Sequence, residues 1–437
     1  MSGREAWQCR LAFYSLLLIP ALPLIAAFIA HRLWIRRKGL PGLREKVSGA
    51  GPALTSGRVL MHGVSLGEVN LMRPLLPGLE TAFGGRALLT SSTTTGRGQL
   101  DKLFADHERA FFPLDLPWAV NRFLARARPR LAVMLEFELW PLFLCAAFAR
   151  GVPVVVVNAK VSVRSFRRFK AAGALVRPLF RSLALVLAQN GQWGARLIAL
   201  GVRRERLVVT GSMKADIVSR ATPAAAHAEA QRTGLSIDRP LLLLASTSAA
   251  QAGGAGEERA LLLGQLTQWR DRGWQVAICP RHPERGGELV ALVRELGATP
   301  RRTSSGERVT ADGEVLIIDE IGRLAALYAL TAQTGGIAVV GGSLGSGRGG
   351  QNMLEAAAHG CCTVVGWDTR NFPDAMELLR VEGGVVELTA EGIQPQLHLL
   401  GTDPERRGAV GVAGERAWAK GRGATARAVA AIVARLH

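Results

Sequence analysis

GIAVVGGSLGSGRGGQNMLE, residues 336–355, begins as an unbroken apolar run, turns through a string of glycines and enters helix-forming residues. A short continuous apolar run reads as a strand buried on both faces, and a helix following it reads as the crossover of a parallel β–α–β unit. The same unit recurs outward in both directions. Toward the N-terminus the strand candidates are residues 58–65, 86–92, 130–136, 153–159, 183–189 and 206–212, followed by 240–247, 275–282 and 314–319. Toward the C-terminus they are residues 361–367 and 383–388. Helical spacers separate the runs, so the reading is α/β with two doubly wound parallel sheets. A polar, alanine-rich stretch at 221–239 reads as the hinge between them, and the tail from 406 to 437 ends in a helix. The expected partition is therefore 1–47, 48–220 and 221–437.

The whole chain supports this division. Its 437 residues are more than one domain usually takes, and 48% hydrophobic against 20% charged residues excludes a disordered chain. Lysine and arginine number 54 against 35 acids, a formal net charge of +19, which calls for a polyanionic partner: nucleic acid, an anionic membrane, or a phosphorylated or acidic substrate. The cysteines (Cys9, Cys145, Cys279, Cys361, Cys362) include no C-x-x-C pair and read as reduced thiols, neither a disulfide framework nor a zinc site.

The N-terminus separates these partners. Residues 11–30 form an uncharged apolar run whose helix would be about 30 Å long, the thickness of a bilayer's hydrocarbon core. Pro20 and Pro23 fit a membrane helix better than a soluble one. Arg32, Arg36, Arg37, Lys38, Arg44 and Lys46 follow with the single acid Glu45. By the positive-inside rule this flank is cytoplasmic, so residues 1–47 read as a single-span anchor in the inner membrane with everything after it in the cytoplasm. A cleaved signal peptide would carry its basic residues on the other side of the apolar run.

In doubly wound sheets ligands bind beyond the carboxyl ends of the strands, and polar clusters fall there. The glycine-rich loop at 341–347 either cradles an anion on backbone N–H groups or simply turns into a helix; it has no P-loop spacing. Asn352 and Glu355 after it either hold a sugar hydroxyl or cap the helix. Arg281, His282 and Arg285 follow an apolar strand directly, as a phosphate-binding cluster or a solvated basic loop. Glu68, after the small-residue turn of Ser65 and Gly67, is the best general-base candidate; the competing role is a first-turn glutamate that only favours the helix dipole. Glu136 and Glu138 lie two apart at a strand end and share a side if the chain stays extended. The eight histidines are scattered, and no H-E-x-x-H or D-x-D is present, so no metal site or cofactor is expected.

Taken in order, HGVSLGE (62–68), TSSTTTG (90–96), PLDLPWAVNRFLARARPRLAVMLEFELWP (113–141), NAKVSVRS (158–165), GSMKAD (211–216), PRHPER (280–285), GGSLGSGRGGQNMLE (341–355) and Asn371-Phe372 resemble the 3-deoxy-D-manno-octulosonic acid (Kdo) transferases of lipid A assembly. The resemblance covers nearly the whole chain, anchor and basic flank included. It implies a GT-B glycosyltransferase, two Rossmann-like domains facing a cleft, that moves Kdo from CMP-Kdo to a lipid A precursor with inversion and without a metal. It further implies Glu68 as base, with Lys214, Ser246, Thr247, Arg281, His282, Gly342, Ser343, Asn352, Glu355 and Asn371 on the donor. Ser65, Gly67, Thr94, Glu138 and Asn158 would serve the acceptor. An anchored, basic enzyme suits an anionic glycolipid acceptor at a membrane surface.

The sequence departs from the family pattern at Gly63, Leu66, Phe137 and Gln351, and where histidine is usual after Ser246-Thr247 it has Ser248 and an insertion-like run before Glu257 and Glu258. These changes leave a related transferase with another nucleotide sugar or lipid acceptor as the alternative. A tethered, non-catalytic binder of polyanions or nucleic acid fits poorly, because the arginines are dispersed through helices with few aromatic stacking partners.

Overall fold

The computed structural model describes residues 3–18, 20, 23, 42–136, 138–249, 256–345 and 347–437. The chain divides into two compact units, Met1–Ile217 with Gly423–His437, and Val218–Arg422.

The first unit is built on β1 (Val59–His62), β2 (Leu88–Ser91), β3 (Glu108–Phe111), β4 (Leu131–Leu135), β5 (Val154–Ala159), β6 (Leu185–Ala188) and β7 (Leu207–Val209). These form one sheet in the order β3-β2-β1-β4-β5-β6-β7, parallel at every pairing. Alternate residues of a strand serve opposite cores. Leu60, Ala132 and Met134 enter one apolar cluster, while Met61, Leu131 and Val133 enter the other.

The second unit repeats the plan with β8 (Leu241–Thr247), β9 (Gln275–Pro280), β10 (Thr299–Arg302), β11 (Glu314–Ile317), β12 (Ile337–Val340), β13 (Cys362–Val365) and β14 (Val386–Glu387). Its sheet runs β10-β11-β9-β8-β12-β13-β14, again all parallel. Both units are thus doubly wound α/β, as the apolar runs indicate. Two strands, ERAF of β3 and TPRR of β10, do not stand out in the sequence. Each lies at a sheet edge, where charge is tolerated, and each pairs its charges locally: Arg58 lies 3.6 Å from Glu108, and Arg301 Nε is 2.8 Å from Glu314.

The last helix, Ala424–Leu436, belongs to the first unit rather than to the domain expected to run from 221 to 437. Ala424, Ala428 and Ile432, spaced one turn apart, enter the first unit's core. The Asp216 carboxylate holds the start of this helix by accepting from Gly423 and Thr425 N–H, each at 2.7 Å.

Most of the expected membrane span at 11–30 lies outside the described residues. Its described beginning is part of the helix Gly3–Leu18, which packs on the first unit through Trp7, Leu11 and Tyr14, with the Trp7 ring 4.8 Å from that of Phe148. Among the described residues no helix is long and apolar enough to cross a membrane.

Candidate active site

Strand order selects where a ligand belongs. In a doubly wound sheet the crevice opens at the carboxyl ends of the strands where the winding reverses, here between β1 and β4 in the first unit and between β8 and β12 in the second. The loops leaving these strands carry most of the candidate residues. Among the described residues, three of the four non-glycine residues with positive φ sit at carboxyl ends of strands: Glu136 after β4, Asn158 in β5 and Ser246 in β8, at 53°, 57° and 53°. Left-handed backbone at a residue other than glycine costs energy and is retained where surrounding structure enforces it.

After β1 the chain turns into the helix Leu66–Phe83, with Ser65 as its N-cap. Ser65 Oγ donates to Glu68 Oε1 at 2.9 Å, and Val64 N–H donates to Glu68 Oε2 at 2.8 Å. This reciprocal capping arrangement fixes the carboxylate over the strand end. Burial pushes the Glu68 carboxyl up to about 7; the nearby carboxylates of Glu136 and Glu138 act in the same direction, against the hydrogen bonds from Val64 and Ser65. A carboxylate with that proton affinity is suited to accept a proton near neutrality. His62, next to this turn, is stacked on Phe112 with ring centroids 3.8 Å apart, and burial lowers its pKa to about 3. It is therefore neutral and unable to supply a cation there.

Glu136 pairs with Lys160, Oε2 to Nζ 2.9 Å. Partial desolvation, then the Glu136 charge, raise the Glu138 pKa. Beside Glu138 lies a cavity of about 440 Å³ lined by Trp140, Lys160, Ser165, Arg168 and Phe169 among others. Gly67 and Thr94 are exposed on first helical turns. The cap of the second of these helices is Thr93, whose hydroxyl also donates to Val64 O at 2.7 Å and ties the β2 loop to the Glu68 turn. Asn158, expected at the acceptor, is wholly buried: its Oδ1 accepts from Met213 N–H at 3.0 Å and its backbone oxygen accepts from Gln189. Its Nδ2 is buried without a hydrogen-bond partner. Lys214 itself belongs to the first unit, after β7, and the other donor candidates to the second.

In the second unit Ser246 and Thr247 end β8, with Thr247 fully buried and its hydroxyl without a hydrogen-bond partner. Across from them the glycine-rich loop leaves β12. A Cβ on Gly341 would stand 2.5 Å from Thr247 Cα, so only glycine lets the loop close on β8. Two of the loop's N–H groups are already occupied within the second unit. Gly342 and Leu344 N–H donate to the buried carboxylate of Glu257, at 2.8 and 2.9 Å. The Ser343 hydroxyl is likewise committed, donating to Val340 O at 2.6 Å and accepting from Gly366 N–H at 2.8 Å. Asn352 Nδ2 donates to Glu355 at 2.9 Å, which leaves its buried Oδ1 unpartnered. Burial raises the Glu355 pKa against this hydrogen bond and the Arg281 charge.

Arg281 and His282 are exposed after β9, with Arg281 N–H held by Thr247 O at 3.0 Å. Arg285 is not a free cation. It is 8% exposed and clamped by Glu258, Nη1 to Oε1 2.7 Å, and by Glu288 at 2.8 Å. Asn371 Nδ2 donates to Arg348 O at 2.6 Å and lies where a Cβ on Gly349 would fall, so it buttresses the far side of the loop. Gln351 N–H donates to Gly341 O at 3.1 Å, closing the loop's base. Phe137 lies outside the described residues.

Sequence reasoning undervalued three acids. Glu257 and Glu258, named in the sequence only as the acids after the insertion-like run, are both buried. Asp115, a lone acid in a proline-bounded apolar run, caps the helix Pro141–Ala149 through Leu142 and Phe143 N–H, and burial pushes its pKa up to about 6. Among the described residues no three His, Cys, Asp or Glu side chains form a metal-holding group.

Known proteins resemble the chain over these same segments. The model of a family described as 3-deoxy-D-manno-octulosonic-acid transferase (kdotransferase) matches residues 32–217. A 3-deoxy-D-manno-octulosonic acid transferase of Bordetella pertussis is 34% identical, over 96% of this chain and 98% of that one. One from Haemophilus influenzae is 30% identical, over 95% and 96%. Among solved structures, UDP-GlcNAc 2-epimerase from Neisseria meningitidis shares 14% identity at a TM-score of 0.57, covering 87% of this chain and all of that one, a likeness of fold alone.

Proposed function

The chain belongs to the 3-deoxy-D-manno-octulosonic acid (Kdo) transferase family and is a glycosyltransferase that transfers Kdo in lipopolysaccharide synthesis; on that premise we propose that it moves Kdo from CMP-Kdo to a lipid A precursor with inversion, using Glu68 as general base. The observation that carries this reading is the Glu68 carboxyl itself, held by Val64 and Ser65 at the winding reversal of the first sheet with a pKa near 7. In the reaction an acceptor hydroxyl oxygen bonds to the anomeric carbon as the bond from that carbon to the phosphate oxygen of CMP breaks. The hydroxyl proton passes to Glu68, and the electron pair leaves on the CMP phosphate. The cavity beside Glu138 supports an acceptor site there: Trp140 and Phe169 offer apolar walls, while Lys160 and Arg168 suit an anionic headgroup.

The donor is assigned to the loops of β8, β9 and β12. Arg281 supplies positive charge, and the unpartnered Thr247 hydroxyl and Asn352 Oδ1 supply hydrogen-bonding capacity for a nucleotide sugar. Preorganised charges and dipoles of this kind stabilise the departing phosphate. The membrane setting rests on the uncharged run at 11–30 with its basic flank and on the exposed Phe13, Leu16 and Leu17. The helix Val163–Ala171 adds Arg164, Arg167, Arg168 and Lys170 for anionic lipid. We place the protein in the inner membrane with the two units on its cytoplasmic side.

The test is CMP release by the purified full chain in detergent, given CMP-Kdo and a tetra-acylated lipid A precursor. The wild type is expected to release CMP only when the acceptor is present, and Glu68→Gln to release it at least ~10²-fold more slowly. Undiminished turnover by Glu68→Gln removes Glu68 from the mechanism.

A further inference from the structure

The carboxylate of Glu257 is 3% exposed and accepts three backbone hydrogen bonds that converge from two separate segments. Ser248 N–H, at the exit of β8, and Gly342 N–H, in the glycine-rich loop, both donate to Oε2 at 2.8 Å. Leu344 N–H donates to Oε1 at 2.9 Å. Glu257 therefore bolts the two loops of the second winding reversal to each other. It also joins Ser248 to Glu257 directly.

We propose that Glu257 is a positioning residue for the nucleotide-sugar donor, holding the glycine-rich loop in the shape in which Asn352 and Glu355 meet the donor. This rests on the donor assignment above. The donor's phosphate is consequently not bound by Gly342 or Leu344 N–H, which Glu257 occupies, and its charge falls to the cationic side of the site, where Arg281 stands. A carboxylate suits the task because all three partners are donors. A carboxamide of the same size offers oxygen at only one of the two positions and turns an N–H₂ group toward a backbone N–H at the other.

That asymmetry provides the test. Steady-state kinetics of the full chain in detergent are measured for Glu257→Gln against wild type, varying CMP-Kdo and the lipid acceptor separately. The expected result is a rise of about tenfold or more in donor KM, with acceptor KM within about twofold, because charge-assisted bonds to the loop are lost while volume is kept. A residue that merely filled space would be rescued by Gln, and one that only stabilised the fold would move both KM values together or neither. An unchanged donor KM overturns the proposal, whereas inactivity of the wild type with CMP-Kdo would instead overturn the donor identity. If the variant does not fold, hydrogen exchange on the nucleotide-free wild type decides: amides 342 and 344 should be protected before any ligand is added, and fast exchange there refutes the clamp.

Discussion

Replacing Glu68 by glutamine perturbs rate and stability in opposite directions. The folded chain keeps the Glu68 proton up to a pH of about 7, against an ordinary carboxyl value of 4.5, and each unit of that difference is about 1.36 kcal/mol. Above pH 7 the folded state therefore carries an ionised, partly buried carboxylate at a cost of about 3 kcal/mol. The sign follows from proton counting. Between 4.5 and about 7 the unfolded chain has released the proton and the folded chain has not, so stability falls as pH rises through this window and stays lower above it. Glutamine is neutral throughout and its oxygen can still accept from Val64 N–H, which at 2.8 Å is the shorter of the two contacts. At pH 8.5 the variant should melt several degrees above wild type, since about 1 kcal/mol is worth roughly 2–4 °C in a domain of this size. At pH 4.5 the difference should vanish. Wild-type kcat/KM should fall about tenfold per unit below pH 7, because only the ionised base accepts a proton. Thermal melts at both pH values, paired with CMP release, make the measurement. A variant that is slower but no more stable at pH 8.5, or a wild type without an acid limb near pH 7, refutes the claim that burial tunes this base.

Three further outcomes follow from the packing. Arg285→Ala strands the Glu258 carboxylate, 1% exposed, without its cation and should destabilise the second unit by about 3–5 kcal/mol in denaturant melts; a loss below about 1 kcal/mol would mean that the clamp is not structural. Asp216→Ala frees Gly423 and Thr425 N–H and should expose the helix Ala424–Leu436 to limited proteolysis at otherwise native conditions, while unchanged resistance would locate its anchoring elsewhere. CMP should raise the melting temperature more than UMP or GMP at equal concentration, and preferential stabilisation by UMP would point to a different donor nucleotide.

Among the described residues, twelve of the fourteen strands could be read from apolar runs, most of them buried on both faces and two, β7 and β14, apolar runs at a sheet edge. β3 and β10 escaped because edge strands need only one neighbour and tolerate charge, as Glu108 and Arg301 illustrate. Polar strand ends were equally visible, but several exist in each half, and only the order of the strands singles out those after β1, β4, β8 and β12. That order depends on pairings between distant segments, which local pattern does not encode. Glu257 shows the same limit more sharply: its partner Gly342 is 85 residues away, and an acid beginning a helix otherwise looks like a solvated one. Asn158 shows another limit: that its Oδ1 serves Met213 N–H, 55 residues away, is not visible in the sequence. The return of the last helix to the first unit was legible only as a one-turn spacing of Ala424, Ala428 and Ile432, with nothing to say which core it fills.

The central claim is that this chain transfers Kdo from CMP-Kdo to a lipid A precursor, and mass spectrometry of the lipid recovered after incubation tests it most directly. The account predicts a lipid heavier by one or more whole Kdo residues, formed only when both CMP-Kdo and enzyme are present and suppressed in Glu68→Gln. Unmodified lipid in the presence of released CMP, or a lipid carrying a different sugar from another nucleotide donor, would contradict it.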